Sequence, residues 1–229
     1  MIDFHHLTSW EPVLTLNLTM RWIIRSMAML TVLGTLVLIC LPADPLPVLG
    51  QEAAAPAVAR TAGLARLPEG WSRRVLSHLA DSRLPMGRDD LQSLLRIAER
   101  AGHRFQVDPL TILAIIQVES RFEPDAVSTQ GGLGLMQLQI DTAKEMAEAL
   151  GISLTSEEQL LDPELNVVLG TYYFRSLLNR FGDLDSALAA FNVGPTRIQW
   201  RKTFAKPVPL GYADRVWEAI TNLRSRAVV

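Results

Sequence analysis

The feature that most constrains the fold is an apolar segment in the middle of the chain that ends in one acidic residue. Asp108 and Pro109 open it as a helix start, because aspartate caps helices and proline suits the first helical position. The sequence that follows, LTILAIIQVE, has almost no polar face. A helix that is apolar nearly all round must be covered by other elements. We therefore predict that this helix lies at the centre of a packed domain.

The sequence on both sides of this segment is also typical of helices, and no strand pattern persists. The predicted limits are Asp89 and Asp90 to a stop at Gly102, Asp141 to Gly151, Asp162 and Pro163 to Phe181 and Gly182, Ala187 to Asn192 before Gly194 and Pro195, and Tyr212 to Leu223. A glycine-rich loop, Gly131 to Gly134, separates the second and third helices. The prediction is an all-α domain over residues 89–229.

Residues 1–43 are predicted to be an N-terminal extension with an export signal. Met27 to Leu41 carries no charge, and Arg21 and Arg25 precede it. As a helix this segment would be about 22 Å long, shorter than the roughly 30 Å hydrocarbon core of a membrane. Cleavage is therefore favoured over anchoring. We expect a periplasmic or otherwise extracytoplasmic protein, membrane-associated if the segment is retained.

Residues 44–88 are predicted to be a linker with a short accessory helix. Alanine and proline dominate up to Pro68, as in flexible tethers. An amphipathic stretch that could dock on the main domain follows, with apolar positions at Trp71, Val75, Leu76 and Leu79.

Composition excludes several classes of protein. The chain has 22 basic and 24 acidic residues, whereas a protein with a broad nucleic-acid surface is normally strongly basic. The hydrophobic fraction of 48% is enough for a packed interior. Cys40 is the single cysteine, which excludes a disulfide within this sequence and a cysteine-based zinc site. Ile39 before it argues against lipid attachment.

Glu119 is the candidate catalytic residue. It ends the apolar helix, where the helix dipole and the apolar neighbours both disfavour a negative charge and should raise its pKa. A carboxyl group that keeps its proton near neutral pH can donate it to a leaving oxygen and later accept another. A glutamate at a helix edge can equally point to water or pair with Arg121, and position alone leaves both open.

Three segments extend the pattern around Glu119. They read ESRFEPDAVS from Glu119 to Ser128, GGLGLMQL from Gly131 to Leu138, and AAFNVG from Ala189 to Gly194. In this order and spacing they closely resemble the soluble lytic transglycosylase family, whose catalytic domains have a lysozyme-like fold with a substrate cleft. The resemblance covers roughly residues 91–223.

The resemblance implies that Glu119 is the catalytic acid and base, and that substrate is bound by Ser128, Met136, Gln137, Phe191, Asn192 and Tyr212. Hydroxyl and amide groups suit an N-acetylated sugar, and Met136 would pack against a sugar face. Taken singly, the glycine stretch is equally an ordinary tight loop and Met136 an ordinary core residue. Two positions depart from the family: Phe191 replaces a tyrosine, and Gly132 replaces an alanine.

The implied reaction needs one carboxyl group, whereas ordinary glycosidases use two. Asp125 and Asp141 are the nearest candidates for a second, but a turn and a helix start favour capping roles for both. The resemblance implies cleavage of the β-1,4 bond between N-acetylmuramic acid and N-acetylglucosamine in peptidoglycan, with 1,6-anhydromuramoyl ends and neither metal nor cofactor.

Three alternatives stay open from the sequence. Water could attack on the same fold, as in a goose-type lysozyme, and give reducing ends. The domain could be a non-catalytic peptidoglycan-binding module serving a secretion or conjugation apparatus, the change at Phe191 then reflecting lost activity. The chain could also be a structural protein anchored by an uncleaved apolar segment. The predicted partner is the glycan strand, and any secretion-machinery partner is unknown.

Overall fold

The computed structural model describes residues 67–228, which form an all-helical domain. Its elements are α1 (Trp71–Ala80), α2 (Arg88–Phe105), α3 (Pro109–Glu119), α4 (Ile140–Leu150), a 3₁₀ helix (Glu157–Leu161), α5 (Pro163–Phe181), α6 (Leu184–Val193), α7 (Pro195–Thr203) and α8 (Gly211–Val228). In these residues the only extended pairing is two isolated β-bridges. The all-α prediction is confirmed. The predicted export segment, Cys40 and most of the linker lie outside the described residues.

Helix α3 forms the centre of the domain, as its sequence predicts. Every residue from Leu110 to Ile116 is buried. Helices α2 and α8 pack directly against it, while α5 packs against α2, α4 and α6. The apolar surface of α3 is thus covered by its neighbours, which is the condition under which such a helix is stable.

Helix boundaries follow the predicted signals where a proline or a terminal glycine marks them. Asp108 Oδ1 accepts a hydrogen bond from the Leu110 amide at 3.0 Å and starts α3. Asp162 Oδ1 starts α5 by accepting from the Leu165 amide at 2.8 Å. Gly151 and Gly182 end α4 and α5 in the left-handed conformation.

Other predicted boundaries are wrong. Gly102 does not stop α2 but lies buried inside it, and the helix ends with Gln106 in the left-handed conformation. The turn closes where the Val107 amide donates to the Gly102 carbonyl at 3.0 Å, so tertiary packing sets the end of this helix. Asp89 and Asp90 lie in the first turn rather than at the cap, as does Asp141 in α4.

Helix α7 is absent from the sequence prediction. Gly194 ends α6, but Pro195 is the first residue of α7 rather than the end of a helical region. The signal is present in the sequence, since proline at the first position also marks α3 and α5.

Helix α1 contributes to the same core as the later helices. Trp71, Val75 and Leu79 are buried, and α1 packs against α2 and α8. Arg74 Nε donates to the Ala227 carbonyl at 2.8 Å, which joins α1 to the end of α8. Among residues 67–228, no helix has the length and apolar character needed to cross a membrane.

Candidate active site

Glu119 is the last residue of α3 and is half-buried. The chain turns sharply after it, with Arg121 and Phe122 at φ of 54° and 65°. Non-glycine residues in this region typically cost about 1–3 kcal/mol each, so surrounding contacts must hold them. The fully buried side chain of Phe122 provides such a contact. The position of the Glu119 carboxyl group is therefore fixed by buried residues of α3 before it and by Phe122 after it.

Tyr212 contacts Glu119 directly. Its phenolic hydroxyl donates a hydrogen bond to Glu119 Oε1 at 2.6 Å, across 93 positions of sequence. Tyr212 is 5% exposed, and the Arg215 guanidinium lies 5.6 Å from the centroid of its ring. Of the predicted site residues, Tyr212 is the one that the described structure joins to Glu119 by a hydrogen bond.

Two polar contacts set the register between α3 and α8. Tyr212 at the start of α8 meets Glu119 at the end of α3, and Arg224 near the end of α8 pairs with Asp108 at the start of α3. The helices are therefore antiparallel. The paired residues are separated by about 18 Å along α8 and about 16 Å along α3 at 1.5 Å per residue, so both contacts form in one register.

The pKa values of the Glu119 carboxyl and the Tyr212 hydroxyl are both raised by their surroundings, which favours the neutral form of each. Burial raises the pKa of the Glu119 carboxyl above its usual range, although the Tyr212 hydrogen bond and the charge of Arg215 lower it in part. Burial, followed by the neighbouring Glu119 carboxylate, raises the pKa of Tyr212 well above its usual value. The phenol therefore keeps its proton and remains the donor.

The loop after α3 folds back on itself around Gly132. The Ser128 amide donates to the Gly132 carbonyl, and the Gly132 amide donates to Ser128 Oγ, each at 2.9 Å. A Cβ atom at position 132 would lie 2.9 Å from Gln137 Oε1. The glycine that replaces the family's alanine thus makes room for the Gln137 side chain in this conformation.

The side chain of Gln137 forms hydrogen bonds within its own loop. Its Nε2 donates to the carbonyls of Ala126 at 3.0 Å and Gly134 at 2.9 Å, so both amide hydrogens are used. Only its oxygen is left to interact with a ligand, as an acceptor. Ser128 is exposed beside this arrangement, and its Oγ accepts the hydrogen bond from the Gly132 amide.

Met136 does not contact solvent, which corrects the expectation that it packs against a sugar face. Its side chain is 0% exposed and lies against Gly170 of α5. Its amide donates to Asn166 Oδ1 at 2.8 Å. Because its backbone amide and its side chain both contact buried residues of α5, Met136 connects the loop to the core in this structure.

Asn166 is a structural residue of the site that the sequence reasoning missed. It is completely buried in α5, where its Nδ2 donates to the carbonyls of Leu133 at 2.9 Å and Leu160 at 2.8 Å. With the Met136 amide it makes three hydrogen bonds, which connect the loop, the 3₁₀ helix and α5. The available signal is a lone asparagine on the apolar side of a helix, since buried amides are nearly always bonded.

Phe191 and Asn192 lie at the end of α6. Phe191 is half-buried, with ring centroids 5.5 Å from Tyr173 and 6.0 Å from Phe174 of α5. Tyr173 supplies a phenol beside Phe191 that the sequence reasoning did not single out. Asn192 is exposed and available to a ligand.

Asp125 and Asp141 are both exposed, and Glu119 has no hydrogen bond to either in the described structure. Residues 67–228 also contain no cluster of three histidine, cysteine or acidic side chains arranged to hold a metal ion. The site as described therefore centres on one half-buried carboxyl group and its phenol donor.

Comparison with known proteins identifies this domain. Residues 96–207 match the family model described as the transglycosylase SLT domain, and this part of the chain is a domain of that type. The chain is 44% identical over 89 residues to the membrane-bound lytic murein transglycosylase C of Edwardsiella ictaluri, covering 38% of this chain and 25% of that one. It is 33% identical over 100 residues to a transglycosylase of Enterobacteria phage PRD1, covering 44% of this chain and 34% of the relative.

Solved structures of lytic transglycosylases are also similar in part. An inactive mutant of the Pseudomonas aeruginosa lytic transglycosylase Slt aligns with 31% identity and a TM-score of 0.48, over 65% of this chain and 23% of the other. The 70 kDa soluble lytic transglycosylase of Escherichia coli aligns with 26% identity and a TM-score of 0.47, over 75% and 27%. The chain spans about a quarter to a third of the length of its curated relatives.

Proposed function

We propose that this chain is a peptidoglycan lytic transglycosylase, with Glu119 as its catalytic acid and base. The observation that carries the proposal is the half-buried Glu119 carboxyl at the end of α3, with its raised pKa and the Tyr212 hydroxyl 2.6 Å away. The murein transglycosylase relatives support the substrate class. The bond cleaved is the β-1,4 link between N-acetylmuramic acid and N-acetylglucosamine.

In the first step Glu119 acts as the acid. Tyr212 binds Oε1, and Oε2 has no hydrogen-bond partner among residues 67–228. The proton on Oε2 passes to the bridging oxygen as the bond from that oxygen to muramoyl C1 breaks. The substrate's own N-acetyl group stabilises the positive charge at C1, and the Tyr212 hydrogen bond stabilises the new carboxylate.

In the second step Glu119 acts as the base. Its carboxylate removes the proton from the muramoyl C6 hydroxyl, and the oxygen forms a bond to C1 of the same sugar. The product is a 1,6-anhydromuramoyl end, and Glu119 regains its proton. No water is consumed. Ser128 and Asn192, both exposed, are proposed to orient the sugars together with the Gln137 oxygen and the aromatic pair of Phe191 and Tyr173.

Product analysis tests this proposal directly. We expect the purified chain to release muropeptides with anhydro ends from isolated sacculi, each lighter by one water than the hydrolytic product in mass spectrometry. Reducing ends would instead identify a hydrolase that uses the same carboxyl group. Binding to sacculi with no released product would identify a non-catalytic module and contradict the proposal.

Replacing Tyr212 with phenylalanine should shift the pH dependence of the reaction. The Tyr212 hydrogen bond lowers the pKa of Glu119, so its removal should raise that pKa further. Because the acid must be protonated, the limb on which kcat/KM falls with rising pH should move to higher pH. The rate should fall about tenfold to a hundredfold as the new carboxylate loses its donor. An unchanged pH profile, measured as initial rates on sacculi, would remove Tyr212 from the proposed mechanism.

We further propose that the protein acts outside the cytoplasm, where peptidoglycan lies. The predicted export segment, Met27 to Leu41, supports this location, and fractionation of cells that express the full chain would test it. The division into residues 1–43, 44–88 and 89–229 remains a prediction. The buried apolar face of α1 favours including residues 71–80 in the folded domain.

A further inference from the structure

Helix α7 carries a surface stripe of alternating basic and aromatic residues. Arg197, Trp200 and Arg201 follow the spacing i, i+3 and i+4, which places them along one face of α7, and Phe204 is the residue that directly follows the helix. Trp200 is 52% exposed and Phe204 is 58% exposed. Their ring centroids lie 5.2 Å apart, so they form one aromatic surface. Two large rings exposed side by side indicate a contact surface rather than ordinary packing.

The segment of sequence that contains this stripe carries only basic charges. From Ser186 to Ala213 the sequence has four basic residues and no acidic residue, in a chain whose net charge is −2. Two of the four are occupied within the structure, because Lys202 pairs with Asp183 at 2.9 Å and Arg201 Nη1 donates to the Pro207 carbonyl at 2.8 Å. Arg197 has no ion-pair partner within residues 67–228. The stripe therefore suits a partner that is anionic and has flat apolar faces.

The position of the stripe in the chain connects it to the candidate site. α7 begins three residues after Asn192, packs against α6, and is followed by the segment that leads to Tyr212. Both ends of this segment thus carry residues assigned to the site. Because this segment joins two parts of the candidate site, we take the anionic partner of the stripe to be the polymer that binds at the site.

We propose that the α7 stripe is a second contact surface for peptidoglycan, separate from the residues around Glu119. This inference rests on the proposed function for the identity of the polymer. Trp200 and Phe204 pack against the apolar faces of sugar rings, as aromatic side chains at binding surfaces commonly do. Arg197 pairs with carboxylates of the peptide stems, which give the polymer its negative charge. The stripe increases retention on the wall without taking part in bond cleavage.

Binding to sacculi tests the stripe separately from catalysis. The full chain with Glu119→Gln binds without cutting, so its dissociation constant can be measured by co-sedimentation. Adding Trp200→Ser and Phe204→Ser should weaken binding to sacculi about tenfold. Trp217→Ser is the matched control, because Trp217 is also an exposed tryptophan, at 41%, but belongs to α8 and not to the stripe. Thermal melting confirms that each variant is folded.

A second arm isolates the charge. Arg197→Gln should weaken binding to intact sacculi and should have little effect on sacculi whose carboxylates have been converted to neutral amides with a carbodiimide and ethanolamine. Equal binding by the stripe variants and the Trp217 control would overturn the inference even if the chain produces anhydro ends. Loss of binding to anionic phospholipid vesicles, with sacculus binding unchanged, would also overturn it and assign the stripe to a membrane. Stripe-dependent binding by a chain that never cuts would refute only the proposed enzymatic activity.

Discussion

Glu119→Gln is expected to abolish the release of anhydro-muropeptides while the domain stays folded. Glutamine has nearly the same shape and can still accept the Tyr212 hydrogen bond, but it can neither donate a proton to the bridging oxygen nor take one from the C6 hydroxyl. Loss of one positioned acid or base typically reduces a rate about 10²-fold to 10⁴-fold. Because one residue has both roles here, we expect a loss of at least about 10³-fold, measured by chromatography of products from sacculi.

A measurement of stability distinguishes loss of the catalytic group from unfolding of the Glu119→Gln variant. The folded-state pKa of Glu119 is raised, so the stabilising contribution of its protonated form is present below the unfolded-state pKa and is lost as pH rises through the folded-state pKa. At neutral pH, Glu119→Gln should therefore melt at the same temperature as the wild-type chain or higher. The same change at exposed Glu123, four residues along, is the control and should leave the rate unchanged. Undiminished product release from Glu119→Gln would refute the assignment.

Gly134→Ala is expected to destabilise the domain strongly. Gly134 has φ of +70°, and a Cβ atom there would lie 2.4 Å from the Leu160 carbonyl oxygen and 2.5 Å from Asn166 Nδ2. One neighbour is backbone and the other is the buried amide that holds the loop, so neither can move without breaking hydrogen bonds. We expect the free energy of unfolding to fall by about 3–4 kcal/mol, and the melting temperature to fall by roughly 10 °C.

Gly182→Ala is the matched control for this substitution. Gly182 has a similar φ of +77°, but a Cβ atom there would have no heavy atom within 4 Å. It should show only the conformational penalty of a non-glycine residue, about 1 kcal/mol, and a melting temperature lower by about 2–4 °C. Equal effects of the two substitutions would show that the loop relaxes freely around a methyl group at position 134 and that the Asn166 contacts contribute little to stability.

Local chemistry explains which helices could be predicted from the sequence. Asp108 with Pro109 and Asp162 with Pro163 start α3 and α5 as expected, because a cap and a fixed proline φ act within a few residues. The prediction at Gly102 is wrong because a glycine inside a helix resembles a glycine at its end. Only the packing around α2 distinguishes the two, and a single sequence does not contain that information.

In the candidate site too, some features could be predicted from the sequence and others depend on the packing of distant helices. The position of Glu119 at the end of an apolar helix indicates a raised pKa from the sequence, and burial in the structure gives the same direction. Met136 and Gln137 belong to the motif, but their buried contacts with Gly170 and the loop carbonyls depend on α5 and on the loop conformation. A motif shows that residues are needed together, and it does not show which of them face the ligand.

By itself, the sequence determined the all-helical class and the central position of α3, since these follow from the apolar pattern and from local helix ends. Its motifs, rather than the position of Glu119 alone, led to the proposal of Glu119 as the catalytic residue. The tertiary structure decided the contacts between residues that are far apart in the sequence. It brought the Tyr212 hydroxyl to Glu119 across 93 positions, and it used buried Asn166 to hold the loop that follows α3. Such contacts depend on how α3, α5 and α8 pack, because hydrogen bonds between distant residues form only after the core has set the helices in register.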